Sequence, residues 1–390
     1  MFETNVIFKK CIDYDLDRIS NAIKEIFDEL PPPEVEGKTI LLKPNLVVAK
    51  KPETATCTHP IVVYAVIKAL QNLGAKRILV GDSPMNEKET YNAQVAGVYA
   101  QVAKAGAEWT EFKSGIDVSI PSGRILKSIT LTENVKKADV VISIAKLKTH
   151  SMMGYTGAMK NLFGTVIGKN KAAMHGKFPE KMKFSMALND IVLAVNPQYA
   201  IVDGIWAMEG NGGPTNGNPT NLGVLAASRN ILALDWKCAE LIGYEPNKIA
   251  NLNEAMSRKY WLKSPEEISL CGDDFEKLKP AKFQLIERTN INASLDSHGV
   301  SRVRKIFKAP LNIIHHRMPA FYNMLLHFVG MYPSFAKRKC IQCKRCIDIC
   351  PNRALSTRNI RIIIDKNKCI RCFCCHEICP NGAVVIKRGI

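Results

Sequence analysis

Several features that would place the chain in a common functional class are missing. Its first ten residues, MFETNVIFKK, have no long apolar run behind a basic one, so a secretory leader is not expected. Neither the GxxxxGK[ST] phosphate loop nor the GxGxxG dinucleotide fingerprint occurs, which leaves an NTPase or a nicotinamide enzyme without support. No flavin, haem or molybdenum motif is visible. No helix-turn-helix, finger or RNA-recognition signature supports nucleic acid as a partner. Acidic residues are missing from 300–339, and 318–336 lacks charge of either sign. What remains is a globular composition, 46% hydrophobic and 23% charged over 390 residues, enough for two domains and a large core.

The shortage of acid is local. Residues 300–339 carry eight Lys or Arg, and residues 340–390 carry ten against three Asp or Glu. Of the formal net charge of +18, only +3 belongs to residues 1–299. A basic C-terminal end suits an acidic redox partner protein or an anionic membrane surface. The uncharged stretch 318–336 is long enough to span a bilayer, but Pro319, Asn323, His327 and Pro333 argue against a span. A helix packed on a domain, or a membrane-surface helix flanked by basic residues, are the readings kept for it.

Cysteine is concentrated at the same end. Nine of thirteen lie after residue 339; Cys11, Cys57, Cys238 and Cys271 are scattered and suit core packing. Cys340, Cys343, Cys346 and Cys350 read C-x2-C-x2-C-x3-C with Pro351 next. Cys369, Cys372, Cys375 and Cys379 repeat that spacing with Pro380 next. Zinc sites usually use C-x2-C pairs separated by a longer loop. A third Cys two residues on, in a duplicated unit, favours iron–sulfur clusters over zinc or disulfides. Cys374 falls outside the register and reads as a small apolar filler or a spare thiol. The run resembles that of the two-cluster bacterial ferredoxins. That resemblance implies two [4Fe–4S] clusters, one on Cys340, Cys343, Cys346 and Cys379, the other on Cys369, Cys372, Cys375 and Cys350.

The N-terminal part alternates between strand and helix patterns. Apolar residues at helical spacing predict a helix over 13–30, ended by Pro31, Pro32 and Pro33. Strands are expected at 39–43, 77–83, 138–146, 199–205 and 223–228, with shorter pieces near 107–112 and 125–132. Helices are expected over 60–73, around 91–105, and after 228 to about 242. Strand–helix–strand units at this spacing imply an α/β domain with a mostly parallel sheet.

Ligands gather beyond the carboxyl ends of strands in such sheets. There the chain offers Lys43 and Asn45, then KLKTH at 146–150, then a loop leading to Lys160 and Asn161. Lys146, Lys148 and His150 alternate, so extended backbone puts them on one face. A helix capped by Thr156 and carrying Lys160 and Asn161 would add its positive end. The candidate site for an anionic small-molecule ligand is therefore Lys43, Asn45, Lys146, Lys148, His150, Lys160 and Asn161. The loop 209–219, EGNGGPTNGNP, is glycine-rich enough for its backbone to approach a ligand closely. Asp235, in the next helix, is expected as a capping or exposed carboxylate.

The segments LLKPNLV (41–47), THP (58–60), GDSP (81–84), KLKTH (146–150), MKNLFG (159–164), EGNGGPTNG (209–217) and ALD (233–235) together resemble the domain-of-unknown-function family 362. The resemblance covers about 38–243. Its members are often joined to a ferredoxin-type module, and it implies architecture more than a reaction.

The expected organisation is an α/β domain over 1–297, a basic, partly helical linker over 298–338, and a small α+β ferredoxin-like domain over 339–390. A cytoplasmic setting suits so many reduced thiols. The expected function is electron transfer to or from an anion held by the α/β domain. The alternative is a non-catalytic electron-transfer subunit that docks onto a separate redox enzyme.

Overall fold

Short runs of aliphatic residues set the strands, and amphipathic stretches between them set the helices. The computed structural model describes residues 4–84, 88–168, 170–286 and 331–388. Its strands up to residue 286 are β1 (Asn5–Lys10), β2 (Thr39–Pro44), β3 (Arg77–Val80), β4 (Glu108–Trp109), β5 (Gly115–Ser119), β6 (Ser128–Thr132), β7 (Val140–His150), β8 (Gly154–Thr156), β9 (Tyr199–Glu209), β10 (Asn218–Ser228) and β11 (Ser269–Gly272). One nine-stranded sheet runs β11-β1-β10-β9-β7-β2-β3-β4, with β8 folded back on β7; β5 and β6 form a separate hairpin. The run β9-β7-β2-β3-β4 is parallel throughout, and β10 is antiparallel to both of its neighbours. The sheet is thus mostly parallel, as the alternating pattern implies.

Side chains alternate across the sheet and build a core on each face. Ile40, Leu42, Ile142, Ile144 and Ile201 pack with Ile19, Ile23 and Ile26 of the helix Leu16–Glu29 and with Val62, Val63 and Val66 of the helix Pro60–Asn72. Leu41, Val141, Ala145 and Val202 pack instead with Phe184 and Leu188 of the helix Lys181–Val195 and Leu234 of the helix Ile231–Leu241. Asp15 caps the first helix through Arg18 N–H. The helix expected around 91–105 is two helices, Glu89–Val95 and Val98–Lys104. Gly97, at φ 74°, turns the chain between them, a conformation cheap only for glycine.

Residues 287–330 lie outside the described residues, and with them most of the expected linker and the stretch 318–330. Where description resumes, Met331–Phe335 is not linker but strand β12, paired antiparallel with β15 (Val384–Arg388). A second pair, β13 (Leu355–Arg358) and β14 (Arg361–Ile364), and two one-turn helices, Arg345–Asp348 and Cys374–Glu377, complete a small α+β module. The module starts earlier than its first cysteine because its last strand needs a pairing partner. No helix among the described residues is long and apolar enough to cross a membrane.

The carboxyl edge of the parallel run is tied by an ion pair. Lys43, at the end of β2, lies 2.7 Å from Asp82 Oδ1, just past the neighbouring β3. Both are buried. The backbone of Gly164 lies directly over this pair, and a Cβ there would overlap Asp82 and the lysine tip. We expect Gly164→Ala to cost about 3–5 kcal/mol by breaking a buried pair. Gly154→Ala should cost about 1–2 kcal/mol, because its φ of 87° is strained for alanine but its surroundings are open. Thermal denaturation of the two variants checks this; equal losses would contradict the packing.

Candidate iron–sulfur and anion site

Eight cysteines of the C-terminal module divide between two cavities. Cys340, Cys343, Cys346 and Cys379 line one. Cys350, Cys369, Cys372 and Cys375 line the other, together with Cys374. The grouping crosses the two repeats. The geometry of one repeat returns in the other 29 positions later. Gln342 and Lys344 have φ of 57° and 59°; their counterparts Arg371 and Phe373 have 57° and 59°. Left-handed backbone at non-glycine residues costs about 1–3 kcal/mol each and is kept where a group must be gripped. Successive turns of this kind point N–H groups into a concavity suited to a negatively charged guest. The crossing sulfurs are treated alike: Ala354 N–H donates to Cys350 Sγ at 3.2 Å and Ala383 N–H to Cys379 Sγ at 3.1 Å. Two matched sets of four thiols, each with an N–H donor on its fourth sulfur, fit iron–sulfur clusters.

The repeats differ in what surrounds them. In the first, Ile341, Gln342, Cys343 and Lys344 are exposed. In the second, every residue from Cys372 to Ile378 is buried. Cys374 stands where the first repeat has Arg345, and Glu377 where it has Asp348. The second repeat is covered by the α/β domain. Thr215 Oγ1 donates to Glu377 O at 3.1 Å, Lys50 Nζ to Pro380 O at 2.8 Å, and His150 Nε2 lies 3.2 Å from Glu377 Oε1. Cys374 is therefore a buried filler of this contact, and its hydrogen bond with Cys372, together with burial, holds its thiol well above the ordinary range.

The glycine-rich loop grips this module. Thr149 Oγ1 donates to Gly210 O and Ser151 Oγ to Gly213 O, so the end of β7 fixes the loop. Gly213 lies against Thr149 so closely that any Cβ would overlap the Thr149 carbonyl. Thr215 and Asn216 then reach Glu377 and Cys379. The expectation that the loop walls a ligand is met by a different use: it cradles the second repeat.

The seven expected site residues fall into three groups. Lys43 gives its protons to Asp82, Asn161 Oδ1 and Pro44 O, and Asn161 bridges Lys43 O, Ser143 Oγ and Asn45 Nδ2. Lys146 reaches Asp203 at 2.9 Å and Tyr14 OH at 2.7 Å, on the opposite face of the sheet from Lys43. Tyr14 OH and His59 N–H donate to the same Asp203 carboxylate. These two lysines have carboxylate partners of their own. Lys148 has none within reach of an ion pair among the described residues; its ammonium donates to Thr56 O at 2.6 Å. His150 accepts N–H from Met152 and Met153 on Nδ1, which puts its proton on Nε2, facing Glu377. Lys160 is half-buried, with the Glu377 carboxylate and the Cys374 thiol as neighbours. Burial lowers the pKa of Lys148 to about 7 and that of Lys160 below its ordinary range.

The helix end expected to attract an anion is already filled. Both Asp235 oxygens accept N–H groups there, from Ala158 at 2.6 Å and Met159 at 2.8 Å. The capping role foreseen for Asp235 is thus performed from a buried position. Its own pKa is pushed up to about 7 by burial. Sequence reasoning missed Asp203, Tyr14, His175, Lys181 and Glu377. Asp203 falls inside the expected strand 199–205, and Glu377 could have been found by laying one cysteine repeat on the other. Tyr14 meets Lys146 across 132 positions, and nothing local signals that.

An α/β sheet with basic strand ends, joined to a cysteine-rich module, defines an iron–sulfur protein. Residues 40–240 match the family described as domain of unknown function (DUF362), and residues 332–380 match a 4Fe-4S dicluster domain. The chain belongs to the DUF362 family and carries a 4Fe–4S cluster-binding module. Thylakoid-associated protein sll1697 of Synechocystis sp. is 35% identical over 219 residues, which is 55% of this chain and 66%, just under two thirds, of that protein. Among solved structures, the lactate racemase apoprotein of Thermoanaerobacterium thermosaccharolyticum aligns over 60% of this chain and 57% of its own, at 11% identity and a TM-score of 0.37. A Thermotoga maritima protein aligns over 64% and 60%, at 10% identity and a TM-score of 0.36.

The state of Lys148 gives a pH signature. With a folded pKa of about 7 against an ordinary 10.5, the unfolded chain holds a proton that the folded chain has lost between those values. Stability from this group therefore rises with pH across that window, by up to about 1.4 kcal/mol per pH unit. Lys148→Met should be more stable than wild type below pH 7 and lose that advantage above it. Thermal midpoints of both proteins across the window check the sign; parallel curves would contradict it.

Proposed function

We propose that this protein moves electrons through two [4Fe–4S] clusters, one held by Cys340, Cys343, Cys346 and Cys379, the other by Cys369, Cys372, Cys375 and Cys350. The observation that carries the reading is the division of eight thiols between two similar cavities with matching backbone. Bound there, the clusters supply one-electron steps. The chain's own residues supply direction. The second repeat is buried against the end of β7, which brings Glu377 and Cys374 next to the edge where Lys148, His150 and Lys160 meet. Those lysines, when protonated, suit an anionic substrate or cofactor and would stabilise charge added to it on reduction. This burial favours a redox enzyme over a subunit that only passes electrons to a separate enzyme.

The first repeat faces outward, with Lys337, Arg338, Lys339 and Lys344 exposed around it. That rim suits an acidic redox partner, attracted more weakly as salt rises. A cytoplasmic site keeps the thiols reduced. The relative from Synechocystis sp. is named for association with thylakoids, and a basic segment meeting an anionic membrane surface would be an association of that kind.

Anaerobically purified protein should hold about eight iron and eight sulfide per chain, as two four-iron cubes require. Cys343→Ser should lose about half of the iron, whereas Cys374→Ser should leave it unchanged. Four iron in the wild type, or zinc in its place, would overturn the reading.

A further inference from the structure

Several buried polar atoms near the second repeat have nothing to bond. Lys181 Nζ, His175 Nδ1 and Thr156 Oγ1 make no hydrogen bond, and His150 Nε2 has only the Glu377 carboxylate at 3.2 Å, although His150, Thr156, His175 and Lys181 are each no more than 3% exposed. Native proteins rarely leave such groups unsatisfied unless water, an ion or a ligand completes them.

These residues come from four segments that meet. Lys148 and His150 alternate on β7, and Lys148 lies across from Thr156 on β8. Lys160 follows on the helix Ala158–Asn161. Three residues on, Phe163 sets its ring edgewise to His175 at 5.8 Å and to Phe184 at 5.5 Å. His175 stacks on Phe184 at 4.3 Å, and Phe184 lies one turn after Lys181. Burial first, and then the nearby charges of Lys160, Lys148 and Lys181, keep His150 neutral. The second repeat closes the group from two sides. Glu377 faces His150, and Gly176, next to His175, packs on Pro351, which follows Cys350.

We propose that Lys148, His150, Lys160, His175 and Lys181 form a buried site for one small oxyanion, a carboxylate or phosphate group, beneath the second iron–sulfur repeat. Three ammonium groups against one carboxylate, Glu377, leave an excess of positive charge that water does not neutralise. An oxyanion offers several acceptors and the missing charge at once. His175 and Lys181 extend the anion site of the function proposed above, on which this inference rests, and they set its depth: the ligand reaches below the strand ends to the helix Lys181–Val195.

Binding is measured on the full chain with both clusters oxidised, by calorimetric titration with inorganic phosphate and, separately, with acetate. At least one of the two should bind with a Kd below about 1 mM. Lys181→Met, which keeps the length and removes the charge, should weaken that binding about tenfold or more. Lys183→Met, altering an exposed lysine paired with Glu180, should leave it unchanged. His175→Gln serves as a second variant, with iron content as the check on folding. Failure of both anions to bind the wild type, or equal binding by wild type, Lys181→Met and His175→Gln, would overturn the site. No electron moves in this experiment. Binding without later reduction of the anion would keep the site and remove only the proposed redox role.

Discussion

A lysine ammonium is costly inside a protein unless a negative charge accompanies it. This fold buries Lys43, Lys146 and Lys148 along one edge of its parallel sheet, each less than 2% exposed. Asp82 answers the first and Asp203 the second, both from neighbouring strands. Lys148 and the nearby Lys160 find their negative neighbour in Glu377, which belongs to the cysteine-rich module. The buried charge of the α/β domain is thus offset in part by the other end of the chain. That constraint explains why the glycine-rich loop is spent on holding the second repeat and why the repeat's one-turn helix is sunk in the interface.

Duplication makes the consequence visible. Two repeats share spacing, left-handed turns and N–H donors to sulfur, so their differences report what was changed for docking. Arg345 became Cys374, small enough to bury; Asp348 corresponds to Glu377, one methylene longer and able to reach His150. One repeat keeps an exposed basic rim and the other gives up exposure altogether. Under the proposed function, the exposed repeat would meet the partner and the buried one the substrate.

Much of this was legible before the fold. Strand ends, the cysteine pairing implied by the ferredoxin resemblance, and the basic end are written in local patterns of period two, spacing and charge. Alternation correctly gathers Lys146, Lys148 and His150 on a strand end, but it does not tell a neutralised lysine from an unneutralised one. That distinction depends on Asp203 and Tyr14, which reach Lys146 from 57 and 132 positions away. The strand β12 was read as linker because its partner, β15, lies beyond both cysteine repeats and only pairing reveals it. His175 and Lys181 carry no motif; they matter because packing on Phe163 and Phe184 brings them to the edge.

The central claim is that the second repeat, and not the first, sits beside the anion site. It is tested most directly by redox titration of the two clusters, followed by electron paramagnetic resonance, with and without the oxyanion that binds. A negative charge next to one cluster makes its reduction harder. The account predicts that the cluster assigned to Cys350, Cys369, Cys372 and Cys375, identified through its cysteine variants, shifts to lower potential while the other stays in place. No shift in either cluster, or an equal shift in both, would contradict it.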